Sequence, residues 1–197
     1  MSILKSTTAI ALSIVLSFSL IVPAMAARVY NPNSNAWEEA SVVATRNRGR
    51  SAIPREEVAY AGKYAPGSII VETGERRLYF VLGDGRAVRY GIGVGRDGFT
   101  WSGTHHVSRK AEWPGWTPPA AMRKRVPDLP AFMPGGPDNP LGARAMYIGS
   151  TLYRLHGTSE PWSIGQAVSS GCIRLTNEDV VDLYERVKVG ALVVVHH

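Results

Sequence analysis

A chain of 197 residues accommodates one core-forming domain with some chain to spare, and 45% hydrophobic with 19% charged content excludes disorder throughout. Twenty glycines and thirteen prolines favour a turn-rich, β-leaning fold over a helical bundle. The net charge of +6 suits an anionic partner surface, membrane headgroups or a carboxylate-bearing wall polymer before nucleic acid, for which the chain has no motif.

The first element is an export signal. Lys5 supplies a positive start, Ile10 to Val22 is apolar apart from serines, and Ala24 and Ala26 are the small residues that a signal peptidase requires. This predicts a signal peptide over residues 1–26. The apolar run falls short of the roughly 20 residues of a membrane span. Left uncleaved, it would be the protein's membrane contact. No cysteine follows it, so a lipoprotein signal is absent. Export changes the reading of Cys172, the single cysteine. One thiol makes no internal disulfide, so it is a small buried hydrophobe, a bridge between chains, or a reactive group.

Residues 27–63 read as a linker or N-terminal arm, containing Asn31-Pro32-Asn33 and the basic run Arg46 to Ser51, without a sustained apolar period. Arg55 to Ala61 suits a helical turn docked on the domain. The domain itself is expected over residues 64–195. Ser68 to Glu72 and Arg77 to Val81 read as strands, Gly83-Asp84-Gly85 as a tight turn, and Ala87 to Ile92 as the returning hairpin strand. A further strand is expected over Gly103 to Lys110.

Ala111 to Arg144 is a long irregular connection, rich in proline and glycine, with Arg123-Lys124-Arg125 in its middle. Such connections are uncommon in compact domains and often serve as lids or binding loops. Trp113 and Trp116 line a groove for a sugar-peptide substrate in one reading and pin the loop to the core in the other. Short strands follow at Ala145 to Gly149 and Leu152 to Gly157. Thr176 caps a helix with Asp179 three residues on, and Val180, Leu183, Tyr184 and Val187 form its apolar face. Gly190 ends this helix, Leu192 to Val195 is a last strand, and His196 and His197 read as an exposed tail. The sum is a mostly β (α+β) fold with a few short helices.

Chemistry concentrates in Leu155-His156-Gly157-Thr158 and in Ser169-Ser170-Gly171-Cys172-Ile173-Arg174-Leu175-Thr176-Asn177. His156 closes a strand beside a loop mouth. Cys172 follows a glycine whose tolerance of unusual φ lets backbone N–H groups turn toward a reacting carbonyl, as an oxyanion hole requires. A thiol near its free pKa of about 8.5 is only partly ionised at neutral pH. An imidazole that takes its proton activates attack on an amide and then protonates the leaving amine. That imidazole needs an orienter on its other nitrogen, for which the Gly157 carbonyl is a candidate. Arg174 suits a substrate carboxylate through paired hydrogen bonds. His105-His106 lack metal-ligand spacing, and no metal site is expected. Glu178 and Asp179 belong to the helix start rather than to a glycosidase pair.

These two segments resemble the signature of the L,D-transpeptidase catalytic domain, also called YkuD, and the similarity extends over Tyr64 to Val195. One departure is Ser170, where many members have histidine. The resemblance implies a YkuD-like β-sandwich or barrel and a periplasmic enzyme of peptidoglycan biogenesis needing no cofactor. Cys172 would attack the carbonyl of the third stem residue and expel the terminal D-alanine. An amine of a second stem (a 3–3 cross-link), a lysine of an outer-membrane lipoprotein, or water would then resolve the thioester. It further implies His156 as base and then acid, Gly157 as its orienter, and the Gly171 and Cys172 amides as oxyanion donors. Ser169, Arg174 and Asn177 would support the substrate. Sortases separate His, Cys and Arg more widely, and papain-like enzymes place Cys before His. A non-catalytic wall-binding module is the remaining rival.

Overall fold

The computed structural model describes residues 28–31, 36–39, 51 and 53–197. The expected signal segment and most of the basic run near Arg46 lie outside the described residues. Arg28–Asn31 (β1) and Ala36–Glu39 (β2) pair as an antiparallel hairpin.

The remaining strands are Glu56–Ala59 (β3), Ile69–Glu72 (β4), Arg77–Gly83 (β5), Arg86–Gly91 (β6), Val94–Gly95 (β7), Gly103–Glu112 (β8), Arg144–Ile148 (β9), Arg154–His156 (β10), Ala167–Ser169 (β11), Ile173–Arg174 (β12) and Leu192–His196 (β13). Nine of them form one sheet in the order β12-β10-β9-β8-β13-β4-β5-β6-β3, and β11 pairs with β7 in a small second ladder. Neighbours in the large sheet are antiparallel except β10 with β12 and β13 with β4. Past the end of β6, Gly93 exchanges hydrogen bonds of 2.9 and 2.8 Å with Arg174 of β12. The sheet is therefore curled until one end meets the chain leaving the other. The catalytic candidates lie at this seam.

Inside the curl, alternate strand residues such as Ile69, Val71, Leu78, Tyr90, Val107, Met146, Leu155, Ile173 and Val193 form the main core. Each fully buried aliphatic side chain contributes about 1.5–3 kcal/mol by leaving water. Helix α2 (Asn177–Arg186) buries Val180 and Leu183 in this core. Its cap is the expected one, with the Asp179 N–H donating to the Thr176 hydroxyl at 3.0 Å. The helix ends at Arg186 with Val187 as its cap, earlier than the expected stop at Gly190. Lys110 of β8 accounts for this end, because its ammonium donates to the Tyr184 and Val187 carbonyls at 2.5 and 2.7 Å.

Two expectations change. Arg55 to Ala61 holds an edge strand, β3, instead of a helical turn, and it pairs with β6 through Glu56 to Ala59. Glu57 and Arg86 form an ion pair at 2.5 Å, and Glu56 pairs with Arg89. Both faces of this edge are largely solvated, so the strand carries no hydrophobic alternation for a sequence pattern to reveal. Tyr60, within the expected arm, and Tyr64, at the expected start of the domain, pack on Ile70, Val81 and Val194 at the sheet's outer face. His196 is no free tail: it ends β13, and its Nδ1 lies 2.7 Å from Glu72 Oε1.

The connection from β8 to β9 folds on itself. It contains one short helix, Ala120–Arg125 (α1), and a separate small core of Trp116, Met122, Leu129 and Leu141.

Candidate active site

His156 and Cys172 are brought to one cavity by the parallel pairing of β10 with β12, in which His156 stands opposite Arg174. Cys172 sits two residues before Arg174, in the turn leading into β12. The cavity has a volume of about 670 Å³, within the range that holds small ligands or a peptide segment. Its walls come from the Cys172 turn, from β10 with the loop before it, from the segment that becomes the short helix of the β8–β9 connection with Pro140 and Leu141 at that connection's end, and from Phe99.

The imidazole is buried, 4% exposed, and its Nδ1 lies 2.5 Å from the Gly157 carbonyl. A carbonyl only accepts, so the proton resides on Nδ1 and Nε2 keeps its lone pair. Burial pushes the His156 pKa down to about 3, assisted by the Arg174 charge and opposed by the Gly157 carbonyl. The ring is neutral at neutral pH. Gly157 is a close-packing requirement as well: a Cβ there would meet Asn177 Oδ1 at 2.3 Å.

The Cys172 thiol is partly exposed, with Sγ 4.0 Å from the Leu152 carbonyl, and it hydrogen-bonds no imidazole nitrogen. Thiol and imidazole thus line a common space with no hydrogen bond between them, a looseness common before substrate binds.

Gly171 has φ +104°, a conformation that suits glycine alone, and it packs against the Tyr153 ring. Its carbonyl accepts from Trp101 Nε1 at 2.7 Å, and the Trp101 and Tyr153 rings stack at 4.4 Å. The Gly171 N–H is occupied, since it donates to Ser169 Oγ at 3.1 Å. Ser169 Oγ in turn donates to the Cys172 carbonyl at 2.6 Å. The expected pair of oxyanion donors is therefore reduced: the Cys172 N–H alone has no acceptor among the described residues, while Ser169 clamps the other amide.

The residues expected to hold substrate divide. Ser169 is buried and lines the cavity, but its hydroxyl is engaged in the turn. Arg174 also lines the cavity, yet its guanidinium is paired with Glu160 at 3.0 Å, the two side chains 6% and 5% exposed. One nitrogen of this guanidinium is thereby engaged in an ion pair within the cavity wall. Asn177 does not line the cavity; its Oδ1 accepts from the Ala143 N–H at 2.9 Å and ties α2 to the end of the β8–β9 connection. Trp116 lines the cavity and also fills the small core. Trp113, 44% exposed, lies outside the cavity lining.

Sequence reasoning missed Glu160, Trp101, Tyr153 and Arg154. Only Tyr153 and Arg154 had a signal, their position beside His156 in the strand expected over Leu152 to Gly157. No cluster of His, Cys, Asp or Glu among the described residues is arranged to hold a metal ion.

Comparison with known proteins agrees with this geometry. The family model described as the L,D-transpeptidase catalytic domain, YkuD, matches residues 66–195. The probable L,D-transpeptidase ErfK/SrfK of Escherichia coli K12 is 46% identical over 134 residues, covering 64% of this chain and 42% of that protein. The probable L,D-transpeptidase YbiS of the same strain is 43% identical, covering 64% and 43%. The chain thus spans less than half the length of these curated relatives. Among solved structures, a Brucella melitensis protein named a probable carnitine operon oxidoreductase is 42% identical with a TM-score of 0.52, covering 75% of this chain and 96% of that one. L,D-transpeptidase 3 of Mycobacterium tuberculosis, in complex with a faropenem-derived adduct, has a TM-score of 0.51 at 20% identity over 66% of this chain and 60% of that one. This last likeness is one of fold. Because the matched stretch runs through the curled sheet and contains His156, Gly171, Cys172 and Arg174, the chain belongs to the L,D-transpeptidase catalytic domain family.

Proposed function

We propose that this protein is an exported, periplasmic L,D-transpeptidase that acts on the stem peptides of peptidoglycan, with Cys172 as nucleophile and His156 as general base. The observation that carries the reading is the common cavity of thiol and imidazole, with the Nδ1 proton committed to the Gly157 carbonyl. Nε2 is then the basic nitrogen.

Cys172 Sγ attacks the carbonyl of the third stem residue while its proton passes to His156. The carbon–nitrogen bond to the terminal D-alanine breaks, the imidazolium returns the proton to the departing amine, and a thioester remains. The Cys172 N–H receives the oxyanion. Burial disfavours the imidazolium, so the resting His156 ring is neutral and able to accept the thiol proton. An amine of a second stem then attacks the thioester and gives a 3–3 cross-link. A lysine of an outer-membrane lipoprotein gives attachment, and water gives carboxypeptidase activity, all through the same cavity. Metal and cofactor take no part in this scheme.

Mass spectrometry of the purified protein with murein tetrapeptide fragments tests the reading. Loss of D-alanine with a dimeric product is expected, and the product's composition identifies the acceptor. Incubation with a carbapenem should add the mass of one drug molecule to the wild type and none to Cys172→Ala. A wild-type thiol that is neither acylated nor productive would leave a wall-binding module as the reading.

A further inference from the structure

The cavity wall is unusual in its charge. Arg123 and Arg125 of α1, Arg154 of β10 and Arg174 of β12 all line it, and no aspartate or glutamate does. Glu160 offsets Arg174 from behind. Arg123 and Arg125 are exposed, and neither forms an ion pair among the described residues. Arg154 donates to the Leu152 carbonyl at 3.0 Å and lies over the Tyr147 ring at 5.1 Å, partners that leave its charge uncompensated. Lys124, between Arg123 and Arg125, does not line the cavity. A cleft lined by one sign of charge with apolar walls focuses its field on an incoming ligand. Guanidinium groups match carboxylates in geometry as well as charge.

We propose that Arg123, Arg125 and Arg154 form a carboxylate-reading wall that selects acyl-donor stem peptides with free side carboxylates over stems in which those carboxylates are amidated. The proposal rests on the transpeptidase reading for the identity of the ligand as a stem peptide. The α1 segment is then a specificity element, held over the cavity by its own small core of Trp116, Met122, Leu129 and Leu141. Amidation removes the charge and one acceptor oxygen while keeping the size of the group, so it isolates the arginine contacts from shape.

The test uses two synthetic tetrapeptides that both end in a free D-alanine carboxylate. One has free carboxylates at the second and third residues, and the other has both as amides. Binding to Cys172→Ala protein is measured by calorimetry, and kcat/KM is measured with the active protein. The free acid should be preferred by about tenfold or more, the scale of one charge-assisted hydrogen bond. The preference should shrink as salt rises. In Arg123→Gln/Arg125→Gln the ratio of the two constants should fall toward one. Lys124→Gln, with its charge change outside the cavity, should keep the wild-type ratio. Equal binding of the two peptides, or a preference that survives the double variant, overturns the proposal. Binding with the expected preference but no turnover overturns the transpeptidase reading and leaves the arginine wall standing.

Discussion

The Arg174 guanidinium and the Glu160 carboxylate meet at 3.0 Å with almost no solvent on either side chain. Glu160 lies at the start of the 3-10 turn Pro161–Ser163, fourteen residues before its partner. Removing one member of such a pair strands the other charge in a poorly solvated place. Glu160→Gln should therefore destabilise the protein by about 3–5 kcal/mol. Arg174→Ala should do the same, with loss of folded protein exceeding any change in KM. Urea unfolding followed by circular dichroism checks this, and an unchanged midpoint would return Arg174 to the role of substrate clamp.

His156 makes stability depend on pH in a defined direction. Its pKa falls from the usual 6.5 to about 3 on folding, chiefly through burial. Between those values the unfolded chain binds a proton that the folded chain refuses. Stability is therefore complete above pH 6.5 and declines as pH falls toward 3, by about 1.4 kcal/mol per unit at most. His156→Gln should flatten this slope relative to wild type. Denaturation midpoints at half-unit intervals from pH 7.5 to 4 measure it; parallel curves for both proteins would refute the assignment.

Gly171→Ala introduces two separable penalties. The left-handed backbone costs about 1–3 kcal/mol for a residue with a side chain, and the new Cβ would lie 2.4 Å from the Tyr153 ring. Shortening the ring in Gly171→Ala/Tyr153→Ala relieves only the second. The double variant should recover part of the melting temperature yet remain poorly active, because the turn that carries Cys172 stays distorted. Full recovery of activity would mean that the φ angle is not what the site needs.

Ser169→Ala removes the hydroxyl that joins the Gly171 N–H to the Cys172 carbonyl. The turn then loosens around the nucleophile, and misplacement by about 1 Å costs on the order of 10² in rate. kcat should fall by that order with KM nearly constant, and Ser169→Thr should restore much of it. A rise in KM with kcat preserved would instead mark a direct substrate contact. Steady-state kinetics on the tetrapeptide distinguishes the two.

Much of this molecule is readable along the chain. The β5–β6 hairpin, the capped helix α2 and the closing strand β13 all follow from patterns spanning fewer than twenty residues. Turn chemistry, capping and apolar periodicity act between near neighbours, so a linear reading captures them. Cys172, His156 and Gly157 stand out in the same way. Their chemistry is written in residue types that have few other reasons to cluster in a chain with one cysteine.

Other features exist only where distant segments meet. Whether Arg174 faces substrate or Glu160, whether Asn177 reaches the cavity or the Ala143 backbone, and which arginines of α1 look inward depend on how the curled sheet closes at Gly93. β3 is hidden from sequence because an edge strand with two solvated faces gains its stability from backbone pairing and from ion pairs to β6. The chain alone establishes which groups can do chemistry. Long-range packing decides which of them are still available to do it, because a buried charge or N–H takes whatever partner the fold brings within hydrogen-bonding reach.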